Sequence, residues 1–84
     1  MEFTNIQRQI REQAQQVFRE VFENPALAIT DKTTAADIPA WDSLEHINLI
    51  IALEQSFGIQ FTSEEVTSMA NVGDLFQLLE QRKR

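Results

Sequence analysis

The chain has 84 residues, of which 43% are apolar, with a formal net charge of −6 and no cysteine. The missing cysteine excludes a disulfide framework, a thiolate metal site and any thiol of the chain's own, and the acidic balance argues against nucleic acid as a partner. With two glycines and two prolines, the composition suits one small all-helical domain over residues 1–84.

Thr4 reads as the first N-cap, with Gln7 completing a capping box. Ile6, Ile10, Ala14, Val17, Phe18, Val21 and Phe22 then recur in steps of three and four. That spacing is one stripe of an amphipathic helix, predicted over about residues 4–23. Asn24-Pro25 stops it, because proline disfavours helical geometry in the residue before it. Residues 24–41 form a long connection, with Leu27, Ile29, Ile38 and Trp41 available to pin it to a core. Thr30-Asp31-Lys32-Thr33-Thr34 has the composition of a turn, and Pro39 stiffens the approach to the next helix.

The second helix is predicted from Ser43 to Phe57, with Gly58 as its stop. Asp42 is its N-cap, and Glu45, three residues on, completes a capping box. Ser43 then occupies the first helical position, where unpaired N–H groups and the positive end of the dipole favour a phosphate ester. Leu49, Ile50, Leu53 and Phe57 form one apolar stripe with His46 in its arc, while Leu44, Ile47 and Ile51 form another. A helix in a small bundle needs one stripe for the core. The second either packs under the long loop or is a docking ridge beside Ser43, and its acidic rim favours the ridge. His46 lies one turn after Ser43, but no nucleophile elbow surrounds the serine. A half-buried histidine lining an apolar pocket is therefore expected, rather than a catalytic base.

Thr62-Ser63-Glu64-Glu65 is a third capping box, opening a short helix with Val66 and Met69 on its apolar side. Asn71 caps a last helix carrying Val72, Leu75, Phe76 and Leu79 at helical spacing, and Arg82, Lys83 and Arg84 suit its C-terminal dipole. The fold expected is an all-α four-helix bundle with a long loop between the first two helices and a short third helix. Between Trp41 and Gln81 stand seven acids (Asp42, Glu45, Glu54, Glu64, Glu65, Asp74 and Glu80) and no Lys or Arg. Their repulsion predicts a fold stabilised by salt or mild acid. No EF-hand loop occurs, so no metal site is expected. No signal-peptide pattern or membrane-length apolar run is visible, so a cytoplasmic protein with no membrane insertion is expected.

Trp41-Asp42-Ser43-Leu44, the apolar helix after it, and Leu53-Glu54 leading to Phe57-Gly58 closely resemble the modification site of acyl carrier proteins. The similarity extends over nearly the whole chain, because the flanking helices also fall where that family has them. It implies that Ser43, between Asp42 and Leu44, bears 4′-phosphopantetheine donated by coenzyme A through a phosphopantetheinyl transferase. The arm would hold an acyl group as a thioester. The chain itself would be no enzyme but a monomeric carrier serving acyl-loading and acyl-processing enzymes. Basic surfaces of those partners would dock on Asp42, Leu44, Glu45, Ile47 and Ile51. At Asn48 many fatty-acid-synthesis carriers have an acid, so the neutral amide implies a specialised fatty-acid or polyketide-type pathway. An aminoacyl or peptidyl carrier, or an unmodified helical interaction module, is the alternative.

Overall fold

In the computed structural model, which describes residues 4–83, four helices follow one another: α1 (Asn5–Val21), α2 (Ser43–Phe57), α3 (Ser63–Ser68) and α4 (Val72–Lys83). The long loop carries a short 3₁₀ turn at Ala35–Asp37 before α2. The all-helical bundle expected from the sequence is the fold observed. Arg84 lies outside the described residues.

Helix α1 packs against both α2 and α4. Ile10, Ala14, Val17 and Phe18 of α1 meet Leu49, Ile50, Leu53 and Phe57 of α2 and Val72, Leu75, Phe76 and Leu79 of α4 in one core. Ile38 is buried with them, and Leu27, Ile29 and Trp41 of the loop lean on the same core. Ile6 does not join it: the buried stripe of α1 starts a turn later, and Ile6 is 55% exposed.

The loop is held by polar side chains that satisfy its backbone. Arg19 Nε donates to the Leu27 carbonyl at 2.7 Å, and Gln15 Oε1 accepts the Ile29 N–H at 3.1 Å. The Arg11 guanidinium bridges Asp31 and Glu80, both at 3.1 Å, and lies 4.6 Å above the Phe76 ring. The start of α4 docks on the loop through two bonds of 2.8 Å, Val72 N–H to Thr33 O and Gly73 N–H to Asp31 O. A Cβ on Gly73 would stand 2.7 Å from that Asp31 oxygen, so the close approach requires glycine.

Helix α1 ends at Val21, two residues before the predicted limit, in a Schellman motif. The Glu23 N–H bonds Glu20 O, and the Asn24 N–H bonds Arg19 O. Such a motif needs a left-handed residue, and Glu23 supplies it at φ 51° where glycine is the usual choice. Glu23→Gly should therefore stabilise the fold by about 1 kcal/mol. A higher denaturant midpoint at unchanged slope would show this, and an unchanged or lower midpoint would contradict it.

The acidic stretch is less self-repelling than its composition implies. Asp42, Glu54, Glu65 and Asp74 each accept a backbone N–H, and Glu80 accepts from Arg11. Arg82 donates to the Gln60 carbonyl at 2.6 Å and pairs with the Glu65 carboxylate, so its charge serves α3. The Thr62 N–H and then the Arg82 guanidinium hold the Glu65 carboxyl below the ordinary carboxylate range. Folding thus favours its ionised form, and that stabilisation is present above the unfolded value and lost as pH falls toward the folded one. Acid should therefore remove the Glu65 contribution, which works against any gain from reduced repulsion among the other acids. The loss should begin near pH ~4 and be smaller in Arg82→Gln. A melting temperature that rises on acidification would restore the simpler repulsion account.

Candidate functional site

Asp42 begins α2 with an extended backbone, and its Oδ1 accepts the Glu45 N–H at 2.9 Å. The first intrahelical bond runs from the His46 N–H to Asp42 O at 2.9 Å. The N–H groups of Ser43 and Leu44 therefore lie outside the helical ladder and point from its N-terminal end. The expected capping box is only half formed. The Asp42 N–H goes to Ala40 O at 3.1 Å, while Glu45 Oε1 accepts from Asn48 Nδ2 at 2.8 Å. Glu45 is drawn along its own helix, so Asn48 occupies one of its carboxylate oxygens.

Ser43 is exposed, with Asp42 and Leu44 beside it. The two stripes of α2 separate as predicted. Leu49 and Leu53 are buried at 1% and 0%, whereas Leu44, Ile47 and Ile51 are exposed at 66%, 55% and 47%. The second stripe is thus an open apolar ridge that starts next to Ser43. Its far end differs in charge, because Ile51 shares a groove with Arg82 as well as Glu54.

A cleft of about 600 Å³ opens beside Ser43 between α2 and α3. Ser43, His46 and Ile50 line it from α2, Val66 and Met69 from the α3 side, and Leu75 from below. Helix α3 buries no residue of its own and forms the thin wall of this cleft.

His46 lines the cleft half-buried, as the sequence implied, and its nitrogens are engaged. Trp41 Nε1–H, a donor only, bonds His46 Nδ1 at 3.1 Å, and His46 Nε2 faces the Val66 carbonyl at 3.3 Å. These partners assign the Nε2–H tautomer. With Nδ1 accepting from Trp41 and Nε2 donating to Val66, neither nitrogen is aimed at Ser43 as a base, so a Ser–His hydrolase pair has no support. Trp41 stacks on His46 at 5.9 Å and meets Phe18 edge-on at 5.5 Å, tying the approach to Ser43 to α1. Periodicity did not reveal this pairing, because Trp41 precedes the helix; its nearness in sequence to His46 was the one available signal.

No cluster of metal-ligating side chains occurs among the described residues. None of their helices is long and apolar enough to cross a membrane.

No protein-family model matches the chain. An acyl carrier protein of Helicobacter pylori is 32% identical over 72 residues, covering 86% of this chain and 92% of the relative. One from Wolinella succinogenes is 35% identical over 60 residues, covering 71% of this chain and 78% of its own. The solution structure of a holo acyl carrier protein from Geobacter metallireducens superposes with a TM-score of 0.81 at 40% identity, covering 86% of this chain and 83% of that one.

Proposed function

The chain belongs to the acyl carrier protein family, and from that premise we propose that Ser43 is where it bears a 4′-phosphopantetheine arm. An exposed serine hydroxyl at the first position of α2, beside an apolar cleft, is the observation that carries this reading. The residues fit the group. The free N–H groups of Ser43 and Leu44 and the helix dipole suit the phosphate of a phosphodiester, and Asp42 caps the helix without using the serine. Ser43 has no competing role in the core, so esterifying it disturbs no packing.

When bound, the arm supplies the thiol that this cysteine-free chain lacks, and so a thioester link to an acyl group. The chain's own residues do the rest. Ser43 anchors, Asp42 and Leu44 frame the approach, and the cleft between α2 and α3 shelters an apolar cargo; its volume lies within the range of small-ligand pockets. Leu44, Ile47 and Ile51 offer partners an apolar anchor, with Asp42 and Glu45 steering basic surfaces toward it. A tethered cargo meets each partner at high effective concentration, so the carrier needs no catalytic group of its own. The neutral Asn48 adds no charge to this face and occupies one Glu45 carboxylate oxygen, which favours a dedicated set of partners in a specialised pathway.

Incubation with coenzyme A and a promiscuous phosphopantetheinyl transferase tests the proposal. The intact mass should rise by one arm, and peptide mapping should find it on Ser43. An unchanged mass with a helical circular dichroism spectrum would leave the chain as an unmodified interaction module.

A further inference from the structure

Helix α3 ends awkwardly. The Ala70 N–H, which a continuing helix would donate to the Val66 carbonyl, is instead taken by Asp74 Oδ2 at 2.9 Å. Val66 O therefore needs a donor from elsewhere, and His46 Nε2–H, reaching across from α2, is the one it has at 3.3 Å. The imidazole is held for that task by Trp41 at its other nitrogen, and Trp41 is itself fixed against Phe18.

This bond has a particular place. Ser43, His46 and Ile50 follow one another along one face of α2, in steps of three and four, and all line the cleft. His46 thus stands between Ser43 and Ile50 along this wall of the cleft. Val66, its hydrogen-bond partner, lines the opposite wall. The hydrogen bond thus joins the α2 and α3 walls of the cleft at a level between Ser43 and Ile50.

We infer that His46, positioned by Trp41, is a polar threshold that sets which acyl chains enter the cleft. The inference rests on the proposed attachment at Ser43 and adds a selectivity to it. A short chain stops at the threshold and leaves the bond intact. A longer chain gains by burying methylenes against Ile50 and Leu75, but it must first part His46 from Val66. Parting them leaves a donor and a helical carbonyl unpaired at an apolar surface, which opposes entry. Entry is therefore graded by chain length, and the grading depends on one side chain.

The test has two parts. In the unmodified chain, nitrogen NMR should show the His46 Nε2–H tautomer and an exchange-protected Trp41 indole N–H. Finding the other tautomer, or a freely exchanging indole, overturns the inference before any cargo is attached. In the second part, butyryl, hexanoyl, octanoyl and decanoyl thioesters of the loaded chain are exposed to hydroxylamine. Wild type should shelter only the longer cargoes. His46→Leu, which keeps the bulk and loses both hydrogen bonds, should shelter hexanoyl and octanoyl roughly two- to tenfold better, the factor that one net hydrogen bond provides. Butyryl should react alike in both. His46→Gln, whose amide keeps an N–H donor for the Val66 carbonyl, should return toward the wild-type pattern. Equal protection in wild type and His46→Leu across the series overturns the inference while leaving the carrier function intact. A uniform loss of protection in His46→Leu also overturns it, reducing His46 to a structural cap of α3. Failure of the wild-type chain to gain the arm is read separately by mass, and removes the attachment and the inference together.

Discussion

Ser43→Ala is expected to abolish attachment of the arm completely, with no measurable loss of fold. The loss is total because the reacting hydroxyl is removed and no other serine has the same surroundings. Ser56 accepts a bond from Gln13, and Ser68 donates to the Glu65 carbonyl. Ser63 is the instructive comparison. It too is exposed and stands first in its helix after a capping residue. It lacks an apolar ridge leading away from it and does not line the cleft. Ser63→Ala should therefore load like wild type. The fold survives Ser43→Ala because the cap is Asp42, not Ser43, and alanine is the best helix former. A surface change of this kind falls within about 0.5 kcal/mol. Intact mass after exposure to coenzyme A and transferase, with circular dichroism alongside, decides the matter. Residual labelling of a folded Ser43→Ala chain would move the site elsewhere.

The limits of α2 were legible because its signals are local. Asp42 caps its start, and Gly58 adopts φ 67° at its end. The two apolar stripes were legible for the same reason, since angle around a helix follows from spacing alone. Which stripe faces outward is a tertiary matter, decided by where α1 and α4 pack. Local signals also misled. Spacing put Ile6 on the buried stripe, but the buried part of α1 begins only at Ile10. Glu45 had the position for a capping box, but Asn48 one turn on competes for its carboxylate. Glu23 ends α1 early in a conformation that its residue type does not advertise. The acids between Trp41 and Gln81 looked unbalanced in sequence, yet Arg11 and Arg82 reach two of them from outside that stretch. Gly73 gave no sign of its role either, because its close approach to Asp31 joins residues far apart in the chain. The candidate site thus followed from short-range pattern, whereas the cleft wall and the His46 bond needed three dimensions.

The stripes of α2 should separate sharply when each is truncated. Leu53 is fully buried among α1 and α4 residues, and Leu53→Ala should cost about 2–5 kcal/mol, a large share of the stability of a domain this small. Ile47 is 55% exposed, and Ile47→Ala should cost less than about 1 kcal/mol, since it leaves little cavity and gains helix propensity. Its effect should appear instead in partner engagement, as slower modification by the transferase at every salt concentration, because apolar anchors hold a complex once formed. Ile47 also borders the cleft, so a cargo effect must be told from a docking effect. Leu44 makes that distinction: it is exposed at 66%, lies on the same ridge and does not line the cleft. Leu44→Ala should slow modification as Ile47→Ala does, without altering thioester protection. Glu45→Lys should behave differently from both. A surface charge acts on encounter, so its penalty should be greatest at low salt and fade as the Debye length shrinks below ~8 Å. Denaturant midpoints and modification rates for the four variants provide the check. A large stability loss in Ile47→Ala with its modification rate unchanged would return the ridge to the core and leave partner docking without its anchor.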